Sequence, residues 1–182
     1  MTATRRWVFL VGVAGLVIAI DQFTKQLVLR NLALYESVQP VPALAPFFQI
    51  TRSYNTGSAF GFLAGLSFSG TLFLVVALVI TAVLVYSYAR LGPEQQLAQW
   101  ATALVIGGAL GNVLDRMLHD GRVIDFIHYQ IPNVISNLSN VADHAIVIGV
   151  ALMVLASWGT EQAEQQARPQ HEETQEGASP PA

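Results

Sequence analysis

Two aspartates lie where apolar helical segments meet more polar sequence, and together they could perform acid–base chemistry. Asp125 occurs in Val123-Ile124-Asp125-Phe126 and Asp143 in Asn140-Val141-Ala142-Asp143, each beside a segment apolar enough to span a membrane. A charged carboxylate in lipid is unfavourable by about 2.5 kcal/mol or more at a helix centre. Two carboxylates that meet at a membrane surface can share one proton. That arrangement would allow them to activate a water molecule.

The position of Asp143 also has a purely structural explanation. Asn140 precedes it by three residues, just before an apolar run, and this spacing is typical of a helix-capping box. The two interpretations are compatible, because a helix N-terminus favours an ionised carboxylate. We therefore predict that Asp125, on a loop between apolar Ile124 and Phe126, more often holds the shared proton.

The composition is that of a membrane protein. Of 182 residues, 53% are hydrophobic and only 12% are charged, with a mean hydropathy of +0.47; a soluble domain usually carries about 25% charge. The net charge of −3 argues against a nucleic-acid partner. The absence of cysteine excludes disulfides, thiolate zinc sites and a cysteine nucleophile.

Four apolar segments predict four transmembrane helices within one membrane domain, residues 1–159. The expected spans are about 7–29, 69–89, 97–117 and 140–158, close to the length of about 20 residues that a bilayer requires. Arg5 and Arg6 before the first span would also suit a cleaved signal peptide. The apolar core runs into Asp21-Gln22 without a small-x-small cleavage site, so an uncleaved span is the better interpretation.

Two long connections, about 30–68 and 118–139, must lie on the same side of a four-span bundle. The first contains strand-like residues at Phe47-Phe48-Gln49-Ile50-Thr51 and a turn signal at Asn55-Thr56-Gly57. Because it is too long for a simple connector, we expect a small ordered subdomain there.

The charge distribution gives a weak indication of orientation. Arg5 and Arg6 before the first span favour a cytoplasmic N-terminus under the positive-inside rule, which would put both long connections outside the cytoplasm. Residues 160–182 are rich in Glu, Gln, Ala and Pro, and this composition predicts a disordered cytoplasmic tail.

The third span ends in residues that suit both packing and binding. Gly107 and Gly111 form a small-xxx-small pair that favours close helix packing. Asn112 and Arg116 are four residues apart and so share one helical face, which could hold a peptide backbone or a lipid head group. Alternatively, Arg116 pairs structurally with Asp115 or another acid.

Other polar residues receive structural roles or none. Asp21 and Lys25 form an acid-before-base pair on one face of the first span, and we interpret it as structural. His119, His128 and His144 lie on the long-loop side but lack the helical pair spacing of metal ligands, so no metal site is expected. No serine lies in a Gly-x-Ser-x-Gly elbow, which leaves an aspartate-activated water as the better option.

Together these residues resemble the lipoprotein signal peptidases, the signal peptidase II family of bacterial membrane aspartic proteases. The resemblance covers roughly residues 7–158 and depends on four blocks in the family's order. They are Asp21-Gln22-Phe23-Thr24-Lys25; Tyr54-Asn55-Thr56-Gly57-Ser58-Ala59-Phe60; Gly107 to Arg116 with Val123-Ile124-Asp125-Phe126; and Asn140-Val141-Ala142-Asp143 with Ile146 and Gly149.

The resemblance implies an all-α membrane protein with four transmembrane helices and a small extracytoplasmic β-sheet subdomain between helices 1 and 2. It implies Asp125 and Asp143 as the catalytic dyad, with Asp21 and Lys25 at positions of structural importance. The implied substrate-binding residues are Asn55, Gly57, Asn112, Arg116 and Asn140.

The implied activity is removal of the signal peptide from prolipoproteins by cleavage on the N-terminal side of a diacylglyceryl-modified Cys. No cofactor is implied, and the implied partners are the prolipoprotein and membrane lipids, bound by a monomer. The implied location is the bacterial cytoplasmic (inner) membrane, with both termini cytoplasmic and the site at the extracytoplasmic face. The chain departs from the family at Ser139, where an aromatic residue is frequent, and at Ile131-Pro132, where Trp-Pro or Tyr-Pro is frequent; both changes bear on the substrate pocket.

Two other classes of protein compete with this interpretation. A proton-coupled transporter could use a chain of membrane acids at Asp21, Asp115, Asp125 and Asp143, although these acids cluster toward one side and no internal repeat is present. A non-catalytic assembly protein could use the glycine-rich faces to pack against partner helices.

Overall fold

The computed structural model describes residues 2–57, 69–131 and 134–176, with side chains for residues 2–57, 70–131 and 134–158. Three features of the sequence analysis fall at least partly outside these ranges. They are the Ser58-Ala59-Phe60 part of the second block, Pro132, and residues 177–182 of the expected tail.

Four long helices form the body of the protein. They are α1 (Ala3–Asn31), α2 (Ser69–Arg90), α3 (Gln96–Leu118) and α4 (Val141–Glu176). Each contains a segment long and apolar enough to cross a membrane, the last of these being Val141–Trp158. The four-helix membrane fold expected from the sequence is confirmed.

Helix α3 is the centre of the bundle. Its candidate span is 67% buried within the protein, compared with 17%, 11% and 17% for those of α1, α2 and α4, and it packs against all three. Glycine makes this packing possible: a Cβ on Gly107 would lie 2.9 Å from the Cβ of Val17 on α1, and one on Gly108 would clash with Ala142 on α4. The close packing expected of this glycine-rich segment is therefore present.

The burial pattern differs from that of a soluble protein. Large apolar side chains such as Leu16, Val79 and Val147 are exposed on the outer surfaces of α1, α2 and α4, where lipid would cover them. Polar and charged side chains lie inside together with an apolar core around Tyr88 and Ile106. The most deeply buried of the polar and charged side chains are Asp21, Lys25, Gln99, Asp115, Asp125 and Asn140.

A four-stranded antiparallel sheet lies beyond one end of the helices. Its strands are β1 (Ser37–Val38), β2 (Phe48–Asn55), β3 (Val123–Ile131) and β4 (Ile135–Ser139), in that spatial order. The expected sheet between helices 1 and 2 is therefore only half of the sheet, because the connection between α3 and α4 supplies β3 and β4. The start of α1, the end of the span in α4 and the turn between α2 and α3 lie at the end of the helices opposite to the sheet.

The physical reason for this shared sheet is the edge that β2 would otherwise expose. A strand edge carries unpaired backbone donors and acceptors, and β3 pairs with those of β2, including the register pair Ser53 and Asp125. The segment Val123–Ile131 is also rich in β-branched and aromatic residues, which favour strands. Two connections that are distant in sequence thus form one ordered unit.

Helix α4 continues beyond the span. Its backbone is helical to Glu176, whereas the composition predicted a disordered segment from residue 160. Ala, Glu and Gln dominate this stretch, and these are among the stronger helix formers. A polar composition therefore did not distinguish a helix extending from the membrane span from an irregular tail.

Candidate active site

Asp125 lies in a strand of the sheet. It belongs to β3 and pairs in register with Ser53 of β2, so the expectation that it occupies a loop is wrong. Its own exposure is only 2%, and the adjacent Ile124 and Phe126 are also buried. The strand fixes the backbone on both sides of this carboxyl group.

Asp143 lies in the first turn of α4 and forms the expected capping box with Asn140. The Asn140 side-chain oxygen accepts from the Asp143 backbone N–H at 2.9 Å, and Asp143 Oδ2 accepts from the Asn140 backbone N–H at 3.2 Å. Asp143 is half-buried. It sits at the positive end of a helix dipole, which favours its ionised form.

Asn140 joins the two aspartates. While its Oδ1 caps α4, its Nδ2 donates to Asp125 Oδ1 at 2.7 Å. The same Nδ2 is within 3.3 Å of the Ile124 carbonyl oxygen, and the residue is fully buried. One amide side chain thus bonds to both candidate residues and holds the start of α4 against β3.

Asn55 and Gly57 form the other side of Asp125. Asn55 Nδ2 donates to Asp125 Oδ2 at 2.8 Å, while its Oδ1 accepts from the Gly57 backbone N–H at 2.7 Å. Gly57 has a φ of +80°, and a Cβ there would clash with the Phe73 ring of α2. Glycine is therefore required by both its backbone conformation and the available space.

Asn112 of α3 contacts Asp143 from the bundle side. Its Nδ2 donates to Asp143 Oδ1 at 2.8 Å, and its Oδ1 accepts from Lys25 Nζ at 3.2 Å and from Asn140 Nδ2 at 3.3 Å. With two donors on the oxygen, the amide nitrogen must face Asp143. Three asparagines, Asn55, Asn112 and Asn140, therefore bond to the two carboxylates.

Arg116 is left with a free charge beside this cluster. Its Nη1 donates to the Asn112 carbonyl oxygen at 3.2 Å, and its guanidinium lies 5.8 Å from the centre of the Phe73 ring. Among the side chains that the structure describes, no acid lies within ion-pair distance of it. The alternative of a structural pair with Asp115 is wrong, because Asp115 pairs with Lys25 at 2.8 Å.

The expected Asp21–Lys25 pair is present and is part of a larger buried cluster. Lys25 Nζ lies 2.7 Å from Asp21 Oδ2 and 2.8 Å from Asp115 Oδ2, and all three side chains are fully buried. Gln22 Nε2 donates to Asp115 Oδ1 at 2.8 Å. Asp115 and Gln22 are residues whose roles the sequence analysis missed, although Asp115 lies three residues after Asn112 and so on a nearby helical face.

The electrostatics differ between the two aspartates. Burial, as the largest cause, and the nearby charge of Asp143 together raise the pKa of Asp125 from 3.8 to about 6, against the lowering effect of hydrogen bonds from Asn55 and Asn140. Asp143 has the helix N-terminus and the donor Asn112 to stabilise its charge. The arrangement favours a proton on Asp125 and a negative charge on Asp143.

The histidines of this region are bonded elsewhere. His128 Nε2 lies 2.8 Å from Ser136 Oγ, His144 Nε2 lies 3.1 Å from the Tyr129 hydroxyl, and His119 Nδ1 bonds to a backbone carbonyl of α3. Within the described part of the chain, no three His, Cys, Asp or Glu side chains are grouped so as to hold a metal ion.

The comparisons with known proteins agree with this architecture. A sequence profile described as Signal peptidase (SPase) II matches residues 13–159. A lipoprotein signal peptidase of Yersinia enterocolitica is 44% identical over 150 residues, covering 82% of this chain and 84% of that protein. One from Syntrophotalea carbinolica is 38% identical over 146 residues, covering 80% and 88%.

Solved structures of the same fold are also similar. A bacterial membrane enzyme determined by the in meso method at 2.3 Å resolution has a TM-score of 0.71 and 32% identity, covering 83% of this chain and 88% of that chain. A second, at 1.9 Å resolution, has the same TM-score and identity and covers 81% and 91%. The chain belongs to the signal peptidase II family, the lipoprotein signal peptidases, which are bacterial membrane aspartic endopeptidases.

Proposed function

We propose that this chain removes the signal peptide from prolipoproteins by cleaving on the N-terminal side of a diacylglyceryl-modified Cys, with a water held between Asp125 and Asp143. The observation that supports this most directly is the single residue Asn140, which donates to one carboxylate and caps the helix that carries the other. Two carboxyl groups held by one buried side chain can share a proton and a water.

The proton assignment gives each aspartate a role. Asp143, stabilised as the anion, takes a proton from the water while the water oxygen attacks the scissile carbonyl carbon. Asp125, whose pKa is raised to about 6, donates its proton to the carbonyl oxygen. When the tetrahedral intermediate collapses, Asp143 returns a proton to the leaving amine and Asp125 regains its own, so no covalent enzyme intermediate is required.

The surrounding residues would hold the substrate. Asn55, Asn112 and Asn140 already bond to the aspartates and present amide groups near the reacting centre, while Gly57 lets a peptide backbone approach closely. Arg116, free of any acid in the described ranges, is the cation available for a carbonyl or lipid oxygen. These five are the proposed substrate-binding residues.

The location of the site supports a membrane-anchored substrate. Asp143 begins a span, and Asp125 lies in the sheet beyond the helices, so the reacting centre would lie where lipid meets water. We place this face outside the cytoplasm of the bacterial inner membrane, with both termini cytoplasmic and the enzyme acting as a monomer. An acyl chain held in the bilayer would raise the local substrate concentration and orient it.

The decisive experiment uses the purified full chain in lipid with a synthetic precursor peptide that carries a diacylglyceryl-modified Cys. The expected products, identified by mass, are the free signal peptide and a peptide beginning with the lipidated Cys. The same peptide without the lipid is the matched control and is expected to remain uncleaved. Cleavage at another bond, or none with the lipidated peptide, would contradict the proposal.

A further inference from the structure

A fully buried ammonium lies below the two aspartates, with every donor used. Lys25 Nζ donates to Asp21 Oδ2 at 2.7 Å, Asp115 Oδ2 at 2.8 Å and Asn112 Oδ1 at 3.2 Å. An ammonium group has three N–H donors, so none remains free. Asp21 and Lys25 belong to α1 and Asp115 to α3; we refer to these three as the buried triad.

The carboxylates of the buried triad reach two further backbone groups, and the identity of those groups is informative. Asp21 Oδ1 accepts from the N–H of Ala142 at 2.9 Å, and Asp115 Oδ2 accepts from the N–H of Ile124 at 2.9 Å. Ala142 directly precedes Asp143, and Ile124 directly precedes Asp125. The same cluster therefore bonds to the residue before each aspartate.

We propose that the buried triad is the element that sets the separation of the two carboxyl groups. This inference rests on the proposed function, since a fixed separation matters only if Asp125 and Asp143 share a water. The triad, formed by side chains of α1 and α3, bonds both to β3 at Ile124 and to α4 at Ala142, and so connects the two elements that carry the aspartates. Its members are positioning residues, and none of them is expected to touch the substrate.

The charge of the cluster supports this role over that of a simple ion pair. Two carboxylates and one ammonium leave one negative charge, and a buried unpaired charge is unfavourable. The N–H groups of Ala142 and Ile124, together with the Gln22 amide, are the donors that stabilise it. An Asp21–Lys25 pair alone would be neutral and would lack the bonds that the Ile124 N–H and the Gln22 amide make to Asp115.

The third hydrogen bond of the Lys25 ammonium group, to Asn112, affects Asp143 as well. By donating to Asn112 Oδ1, Lys25 occupies the acceptor end of that amide and leaves its Nδ2 to donate to Asp143 at 2.8 Å. The triad thus controls the carboxylate of Asp143 through a side chain and its backbone through Ala142.

Two substitutions at one position separate positioning from charge pairing. Asp115→Asn loses the charge but keeps an oxygen that can accept from the Ile124 N–H. Its new NH2 group faces Gln22 Nε2, which then loses this bond and keeps its contacts with Asp21 Oδ2 and the Gly111 carbonyl oxygen. Asp115→Leu loses both the charge and the acceptor. If the triad served stability alone, the folded fractions of the two variants would have the same kcat, whatever the difference in their stabilities.

The expected result is a difference in kcat at similar KM. Because a displacement of about 1 Å can reduce a rate about 100-fold, Asp115→Leu should lose at least about that factor, whereas Asp115→Asn should stay within about fivefold of wild type. Asp120→Asn is the control, since Asp120 lies in the turn after α3, its side chain is 93% exposed, and asparagine tolerates its positive φ of 53°; its kcat should be unchanged. Equal losses in both Asp115 variants, or no loss in either, overturn the inference.

Hydrogen exchange of the Ile124 amide gives a readout that does not depend on the substrate. Exchange should be slow in wild type and Asp115→Asn and fast in Asp115→Leu. If Asp115→Leu does not fold, the Asp115→Asn variant decides. A protected Ile124 amide together with a retained kcat supports the positioning role. A freely exchanging Ile124 amide with a retained kcat, or a protected Ile124 amide with a lost kcat, overturns the inference. A wild-type chain that fails to cleave defeats the proposed function instead, and the amide exchange alone then decides this inference.

Discussion

The side-chain N–H of Asn140 donates to Asp125 at 2.7 Å, while the side-chain oxygen of Asn140 caps helix α4, whose first turn contains Asp143. The contact joins a strand to a helix at the point where the membrane span begins. Because a buried amide has limited freedom, the relative position of the two carboxyl groups depends on Asn140 as well as on the buried triad. The hydrogen bonds of Asn140 therefore support both the local structure and the proposed chemistry.

The first prediction concerns the two aspartates themselves. Asp125→Asn and Asp143→Asn should each reduce cleavage of the lipidated precursor by at least about 1,000-fold, because general acid–base groups contribute about 10²–10⁴-fold each and the two act as one unit. Insertion into the membrane should persist, since an amide is close in size to a carboxyl group. The measurement is product mass over time with purified variants in lipid.

Asp120→Asn is the matched control for these two substitutions. It replaces an exposed carboxylate in the same connection and should leave cleavage unchanged. Full turnover by either Asp125→Asn or Asp143→Asn would exclude a mechanism that depends on both carboxyl groups.

The second prediction is a pH dependence. The pKa of Asp125 is about 6 in the folded protein and 3.8 in the unfolded chain, so between these values only the folded state retains the proton. Its contribution of at most about 3 kcal/mol to the free energy of unfolding is present below pH 3.8 and lost as the pH rises through about 6. The rate of cleavage should also decline as the pH rises through about 6, because Asp125 and Asp143 are then both ionised.

Infrared difference spectroscopy on each Asn variant locates the proton. The protonated carboxyl band should persist in Asp143→Asn and vanish in Asp125→Asn. In Asp143→Asn the band should titrate at a lower pH than in wild type, because the charge of Asp143 is one cause of the raised pKa. A proton that resides mainly on Asp143 would show the reverse pattern and contradict the assignment.

The features that could be predicted from sequence are those whose partners are close in the chain. The capping box of Asn140 and Asp143 spans three residues, and the Asp21–Lys25 pair spans four, so helical geometry alone brings each together. The four spans followed equally from local composition. None of these required knowledge of how the helices are arranged.

The features that were missed depend on distant segments. Asn55 and Asp125 are 70 residues apart, and only the pairing of β2 with β3 brings them together, so their contact could not be predicted even though the residues around Asp125 favour a strand. Asp115 has Arg116 beside it in sequence, yet its ionic partner is Lys25 on another helix. Long-range pairing is set by packing of the whole bundle, which local patterns do not encode.

The third prediction separates the two roles of Asn140. Asn140→Ala loses both the helix cap and the bond to Asp125, and it should lower stability by about 1 kcal/mol as well as cleavage. Asn140→Ser retains a capping oxygen but is too short to replace the bond to Asp125. It should therefore keep the cap's contribution to stability while losing cleavage up to about tenfold, in line with the contribution of about 0.5–1.5 kcal/mol from a hydrogen bond to the neutral, protonated carboxyl group.

Thermal unfolding in detergent and cleavage rates on the same preparations make this comparison. A serine variant that cleaves at the wild-type rate would show that the contact between Asn140 and Asp125 has no catalytic consequence, whatever the stability of the alanine variant.

The last prediction concerns Arg116, whose charge has no acidic partner within the described part of the chain. Because no acid whose side chain the structure describes forms an ion pair with Arg116 and its side chain is only partly buried, Arg116→Gln should change the unfolding temperature little, although it also removes the longer-range attraction of the guanidinium for Asp143, Asp115 and Asp125. If the guanidinium binds a substrate oxygen, its loss should raise KM about tenfold or more, the effect of a charged hydrogen bond. Arg90→Gln, at the opposite end of the bundle, is the control and should change neither quantity. A fall in stability with KM unchanged would instead assign Arg116 a structural role and leave the substrate without this contact.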